Sequence, residues 1–343
     1  MAVSTFSEFI NGYKSGAKTE YLYNSVFAPL IPKDKILDAR FGSVKQREIT
    51  VVGGTVPYNG KYPNSTQGAK INTGWIKYEY DYDGAFNFSD DSLEEIQSFV
   101  QGSEPSIFVG VKAYIGRTFA VETDMLCAST YYSQIPEANK LKGAFDNGFY
   151  AGLDAIDKSL TNAKVSRNHI VYVWVNASTY EKQAAEAREN HILANSTTME
   201  IEQDGLVIKK DVLKYGRFII IPVADDILVD KVDLLDGVSE GQEAGGVVVA
   251  EDAKQIQALI IPEGAGFVDN QYVTSNIWYN PMLDLGEIGE IDSNITDLIG
   301  DFRINRVGAN PEADAFAIKG RIRNGRSLYD ISKKYCFSVE ANA

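Results

Sequence analysis

The chain reads as an α+β protein, and three stretches of its sequence carry that reading. Between Ile76 and Asp83, the side chains Ile76, Tyr78, Tyr80 and Tyr82 alternate with Lys77, Glu79, Asp81 and Asp83, the period of two of a strand with one covered face. From Glu104 to Gln134 apolar residues recur at helical spacing, which predicts one helix of 31 residues, roughly 46 Å long. Residues 143 to 255 then mix helix-patterned and strand-patterned segments, an α/β region, and the remainder returns to strand character.

Composition sets the bounds. The 343 residues are 44% hydrophobic and 23% charged, enough chain for a sizeable core in one large domain or two or three small ones. Nineteen Tyr and sixteen Phe suit sheet surfaces and subunit contacts. A net charge of −14 argues against a general nucleic-acid binder, because phosphate contacts want Lys and Arg. The two cysteines, Cys127 and Cys336, provide neither a disulfide framework nor a metal cluster and are expected to be reduced core thiols. Met1 to Lys18 has no uninterrupted apolar stretch, and no run approaches the ~20 apolar residues of a membrane span. The cytosol of the producing cell is the expected compartment.

Residues 1–45 hold short apolar clusters broken by Gly12, Gly16, Pro29 and Pro32, the pattern of an arm that lies across something else, such as a second copy of the chain. Residues 46–83 are expected to form an extended β-hairpin. Its first strand includes Ile49 to Val52, its long loop runs from Tyr58 to Gly74, and Asn59-Gly60 and Pro63-Asn64 are turn signals. From Arg40 to Lys77 there are six basic residues (Arg40, Lys45, Arg47, Lys61, Lys70, Lys77) and one acidic residue, Glu48, a net of +5 in an acidic protein. Ser103 is a plausible cap for the long helix, Pro105 fits its first turn, and Pro136 stops it. Gly110 and Gly116 mark a bend or a close approach within it.

In the α/β region, Phe149, Leu153, Ile156 and Leu160 give one helix, with Asp146 as its expected cap. His169 to Val175 and Arg217 to Val223 read as strands, and Asn176 or Ser178 caps a helix over 179–188. From Val223 to Asp252, nine acidic residues stand against Lys231, a net of −8. Later strand candidates are Ala258–Pro262, Gly266–Thr274, Asp314–Ile322 and Tyr335–Val339.

Catalytic patterns are lacking. His169 and His191 have no ligand partner at helical spacing, and the sequence has no GxSxG, no GxxxxGK[ST] and no HExxH. The acidic run Asp225–Asp236 lacks the DxDxDG spacing of a calcium loop and reads as a solvated loop. Glu122 and Asp124 are two residues apart on a helix and point apart. The acids from Asp90 to Glu95 suit a helix N-terminus. No catalytic residue, cofactor or metal is expected.

A resemblance enters on five stretches, taken in order. VPYNGKY (56–62) ahead of TGWIKYEYDYDGAFNFSDDSLEE (73–95) resembles a Tyr-Gly hairpin, a strand, then Phe-x-x-Asp before an acidic helix start. RTFAVETDMLCASTYY (117–132) is similar to a long spine helix with an Arg…Glu-x-Asp run, matched here by Arg117, Glu122 and Asp124. IVYVWVNASTYEKQ (170–183), RFIIIPVADD (217–226) and DAFAIKGRIRNGRSLY (314–329) complete the series. Together these resemble the major capsid proteins of tailed bacteriophages, with the Hong Kong 97-like fold, over most of residues 20 to 330.

The resemblance implies an N-terminal arm (1–45), an extended loop (46–83), a peripheral domain on a spine helix (84–142 and 256–343) and an axial domain (143–255). It implies a structural protein, not an enzyme. Hexamers and pentamers would tile an icosahedral virion shell around double-stranded DNA held non-specifically, assembled in the host cytoplasm without a membrane. Separate scaffolding, portal and decoration proteins are the implied partners. Subunit contacts are expected at Arg47, Lys61, Lys70, Trp75, Lys77, Arg117, Glu122 and Asp124, the last three holding the helix against its own domain or a neighbour. Two other readings stay open: an encapsulin-like compartment shell, and a carbohydrate-active or carbohydrate-binding protein.

Overall fold

Alternation in the strands and helical spacing between them produce a mixed α and β architecture. The computed structural model describes residues 23–27, 39–40, 43–52, 68–77, 80–88, 120–190, 195–203, 206–234, 247–279, 302–306 and 316–342. In chain order the elements are β1 (Ala39–Arg40), β2 (Ser43–Val52), β3 (Gly68–Lys77), β4 (Tyr80–Phe88), α1 (Ala120–Gln134), β5 (Lys140–Lys142), α2 (Phe149–Asn162), β6 (Val171–Asn176) and α3 (Ala177–Glu189). There follow β7 (Asn195–Gln203), β8 (Leu206–Tyr215), β9 (Phe218–Val223), β10 (Val232–Leu234), β11 (Val247–Val249), β12 (Ile256–Pro262), β13 (Gly266–Tyr279), β14 (Phe302–Arg306), β15 (Phe316–Leu328) and β16 (Phe337–Glu340).

Seven strands make the main sheet, in the order β5-β16-β12-β6-β9-β8-β7. All six residues of β6 are buried, so both of its faces are covered. The period of two sorts the side chains into two cores. Val171, Val173, Val175, Phe218, Ile220, Ala258 and Ile260 face α2 and its Phe149, Leu153, Ile156 and Leu160. Tyr172, Trp174, Ile219, Ile221, Leu259 and Ile261 face the opposite way, onto Met125, Leu126, Ala128 and Tyr131 of α1. The sheet thus separates the two helices. Cys127 and Cys336 are both free and buried in the second core, as expected.

The helix ends show why local signals succeed or fail. Asn176 caps α3 through its side-chain oxygen, which accepts from the Thr179 amide at 2.9 Å. The expected Asp146 cap of α2 is not made. The cap position is Gly148, at φ 115°, and the Phe149 amide donates to Glu186 Oε2 of α3 at 2.7 Å. Asp146 instead accepts from Asn342 near the C-terminus. A distant carboxylate replaced the local one because α2 and α3 are neighbours.

The hairpin differs from its expectation in where it returns. β2 and β3 pair over ten register positions, from Ser43 opposite Lys77 to Val52 opposite Gly68. The return strand therefore begins inside the stretch expected to be loop. Tyr80 and Tyr82 belong to β4, which pairs with β15 in a second sheet ordered β14-β13-β15-β4. Alternation runs on from 76 to 83 because both strands are extended, and a period of two cannot register a change of sheet. The β7–β8 hairpin, paired from Asn195 opposite Lys214 to Gln203 opposite Leu206, was not anticipated. Its signal is Asp204-Gly205, a strong hairpin dipeptide.

The boundary expected between residues 255 and 256 falls within the main sheet, because β12 pairs with β6 on one side and β16 on the other. The expected first half of the long helix, 104–119, lies outside the described residues, as do His191 and the hairpin tip.

Candidate functional site

One site draws on four separate parts of the chain: residues 25–27, α1, β6 and β8. Asp124 is 1% exposed, in the middle of α1, whose residues Glu122 to Ala128 are all buried. Its carboxylate accepts from the Ser25 hydroxyl at 2.7 Å, the Val26 amide at 2.7 Å and the Phe27 amide at 3.3 Å. The indole N–H of Trp174 donates to the Val26 carbonyl at 2.9 Å. The Lys210 ammonium donates to the Ser25 carbonyl. Phe27 fills the space beneath: it is fully buried, stacked on Trp174 at 4.6 Å and edge-on to Tyr131 at 5.9 Å. The backbone of this short piece of the arm is therefore read much as a bound peptide would be, with an aromatic anchor.

The electrostatics of the seat are set by burial. Removal from water pushes the Asp124 carboxyl up to about 6, against the opposing pull of its hydrogen bonds and of Lys210. Burial also pulls the Lys210 ammonium down, while Asp124 pulls it up. Burial drives the Cys127 and Cys336 thiols upward, so both are held neutral and unreactive.

The expected contact residues fall into two groups. Arg47 (opposite Thr73), Lys70 (opposite Thr50), Trp75 (opposite Lys45) and Lys77 (opposite Ser43) lie on the β2–β3 ribbon. Glu122 and Asp124 lie on α1, 3% and 1% exposed. Both side chains are buried within the chain itself. They are buried although two residues apart, because α1 is covered on more than one side. Lys61 and Arg117 lie outside the described residues. The arm itself, expected to cross something else, has residues 25 and 27 in the core of its own chain.

Sequence reasoning missed Ser25, Phe27, Trp174 and Lys210. Lys210 had a usable signal once β8 is recognised: it shares a face with Ile208 and Val212, both buried, so a lysine falls among inward-facing positions. Trp174 sits in an apolar strand where its N–H requires an acceptor.

A second charged cluster bears on the carbohydrate reading. Asp154 and Asp157 of α2 line a cleft with Arg167, Tyr215 and Arg217. Asp157 receives Arg217 Nε at 2.5 Å and Arg167 at 3.4 Å, and Asp154 receives the Tyr215 hydroxyl at 3.0 Å. Arg217 also donates to the carbonyls of Val165 at 3.3 Å and Ser166 at 3.0 Å and to Thr161 Oγ1 at 2.8 Å. Asp157 and Arg217 tie α2 to the turn before β9, and Asp154, exposed on the same cleft, is engaged by the Tyr215 hydroxyl. In the acidic run, Asp225 accepts from the Ser178 amide at 3.1 Å and hydroxyl at 2.6 Å, Asp230 accepts from the Lys254 amide at 2.6 Å, and Lys231 pairs with Asp252. Among the described residues, loop ties engage these side chains.

No protein-family model matches the chain, and no characterised protein matches it by sequence. Among solved structures, the chain is similar to the mature capsid of bacteriophage PhiM1, at 11% identity and TM-score 0.48, covering 93% of this chain and 88% of that one. It is similar to the capsid of cyanophage P-SCSP1u, at 9% identity and TM-score 0.47, covering 93% and 90%. These are phage capsid proteins, the family that the sequence resembles. A virus-like particle from Pyrococcus furiosus is also similar, at 10% identity and TM-score 0.44, covering 96% and 98%.

Proposed function

We propose that this chain is the structural shell subunit of a tailed-phage capsid, assembling with copies of itself as hexamers and pentamers into an icosahedral shell around double-stranded DNA. The β2–β3 ribbon carries the reading. Its two ten-residue strands, each roughly 33 Å long, share a sheet only with the two-residue β1 among the described residues. A two-stranded hairpin is marginal in water by itself, and an open edge strand is a template for another chain. A neighbouring subunit supplies the missing cover. The ordered series of sequence stretches, from VPYNGKY to the closing strand, supports the same reading.

In this account the basic ribbon docks on an acidic surface of a neighbour, and its charges set register more than affinity. Reversing Lys70 and Lys77 to Glu is expected to abolish or strongly reduce assembly while leaving the subunit's thermal unfolding nearly unchanged. Sedimentation velocity of the wild-type and doubly reversed chains checks this. Equal assembly of the two, or loss of folding in the variant, counts against ribbon docking.

A further inference from the structure

The β2–β3 ribbon has two unlike faces. Residues directly opposite each other in an antiparallel pair share a face, and the face changes at every residue along a strand. The register therefore puts Lys45, Arg47 and Lys77 on one face with Trp75. Ile49, Val51, Ala69 and Ile71 continue that same face toward the turn. It carries three cations and no acid. The opposite face holds Glu48 and Lys70, whose charges cancel, with Gln46, Thr50 and Asn72 along its middle. Trp and Arg are enriched where subunits meet, and a two-stranded ribbon has no second layer of its own to cover an apolar face.

The chain also carries a surface of matching character. β10 and β11 form a two-stranded sheet of their own. Val232 opposes Val249 and Leu234 opposes Val247, so these four share a face. Val247 is buried and Val232 packs on the second core, whereas Leu234 and Val249 are 50% and 40% exposed. Both stand in the stretch from Val223 to Asp252 with its net charge of −8. Asp226, Asp233 and Glu251 of that stretch are exposed. An apolar pair in acidic surroundings complements an apolar cluster in basic surroundings, both in charge and in the surface each removes from water. Resting on the shell reading above, we propose that the ribbon seats on a second copy of the chain by its Trp75 face alone, and that the β10–β11 sheet receives it through Leu234 and Val249. Lys70 then lies on the face turned away from the contact, and Lys77 lies within it.

Cross-linking of the full chain under assembly conditions tests the contact. Ile71→Cys combined with Leu234→Cys is expected to give covalent dimers and larger species with a short bis-maleimide. Asn72→Cys combined with Leu234→Cys differs by one residue and lies on the other face, and is expected to give about tenfold less. The native thiols of Cys127 and Cys336 are buried and do not compete. Sedimentation velocity reads the same faces through assembly. Lys77→Glu is expected to raise the concentration for half assembly by about tenfold, and Lys70→Glu by less than about twofold. Leu234→Ser with Val249→Ser is also expected to raise it by about tenfold, without altering thermal unfolding. If the wild type assembles, the seating is overturned by cross-linking at position 71 that is absent or no stronger than at position 72. Equal effects at Lys77 and Lys70, or full assembly with Leu234 and Val249 both replaced, overturn it as well. Each of these results leaves the shell reading standing, whereas a wild type that stays as single subunits overturns both.

Discussion

Replacing Phe27 with alanine is expected to lower the stability of the subunit by about 3–5 kcal/mol, the range for removing a fully buried aromatic ring. Phe27 has no exposed surface and contacts both Trp174 and Tyr131. The cavity would open between the sheet and α1, where neither wall can close easily: β6 is the middle of seven strands, and α1 is fixed to β15. That fixation is specific, since Gln134 Oε1 accepts the Leu328 amide at 2.7 Å and the Ser327 hydroxyl at 3.0 Å. The substitution should also unseat residues 25–27, because three hydrogen bonds to Asp124 do not offset the lost anchor. Urea unfolding measures the first effect and limited proteolysis around Tyr23 the second. Phe27→Leu keeps much of the volume and should lose less. A loss under about 1 kcal/mol for Phe27→Ala would mean that the core does not depend on the arm.

Arg217→Met is expected to cost about 1–3 kcal/mol, as for leaving buried acceptors without their donor. Arg217 is 8% exposed, and its guanidinium satisfies Asp157, Thr161 and the carbonyls at 165 and 166 at once. Methionine matches its length but leaves Thr161 and the carbonyls at 165 and 166 without that donor, while Asp157 keeps Arg167. Arg217→Lys restores the charge without the planar fork and should recover only part of the loss. Calorimetric melting of the three proteins checks the order wild type, Lys, Met. Equal melting of Met and wild type would show that α2 is held by its apolar face alone.

Much of this architecture was legible because its signals are local. The apolar spacing of Phe149, Leu153, Ile156 and Leu160 located α2 and its buried face. RFIIIPV located β9, although the strand runs through Pro222 to Val223 rather than stopping at the proline. The Asn176 cap was legible because donor and acceptor lie three residues apart. What escaped was long-range. The α2 cap comes from Glu186, the sheet partner of β12 from residues 171–176, and the site on Asp124 from residues 97 to 99 positions earlier. Asp124 was picked out as a residue holding the spine helix in place, but its partners were not, since no periodicity connects Ser25 with Lys210. The strand alternation between Ile76 and Asp83 falls on β3 up to Lys77 and on β4 from Tyr80, and could not say that it serves two sheets.

The claim that this chain builds a shell with copies of itself is tested most directly by electron microscopy of the purified full-length protein. The account predicts closed particles of capsid size, or five- and six-fold capsomers that close into them. A field of dispersed single subunits, folded and stable at high protein concentration, would contradict it.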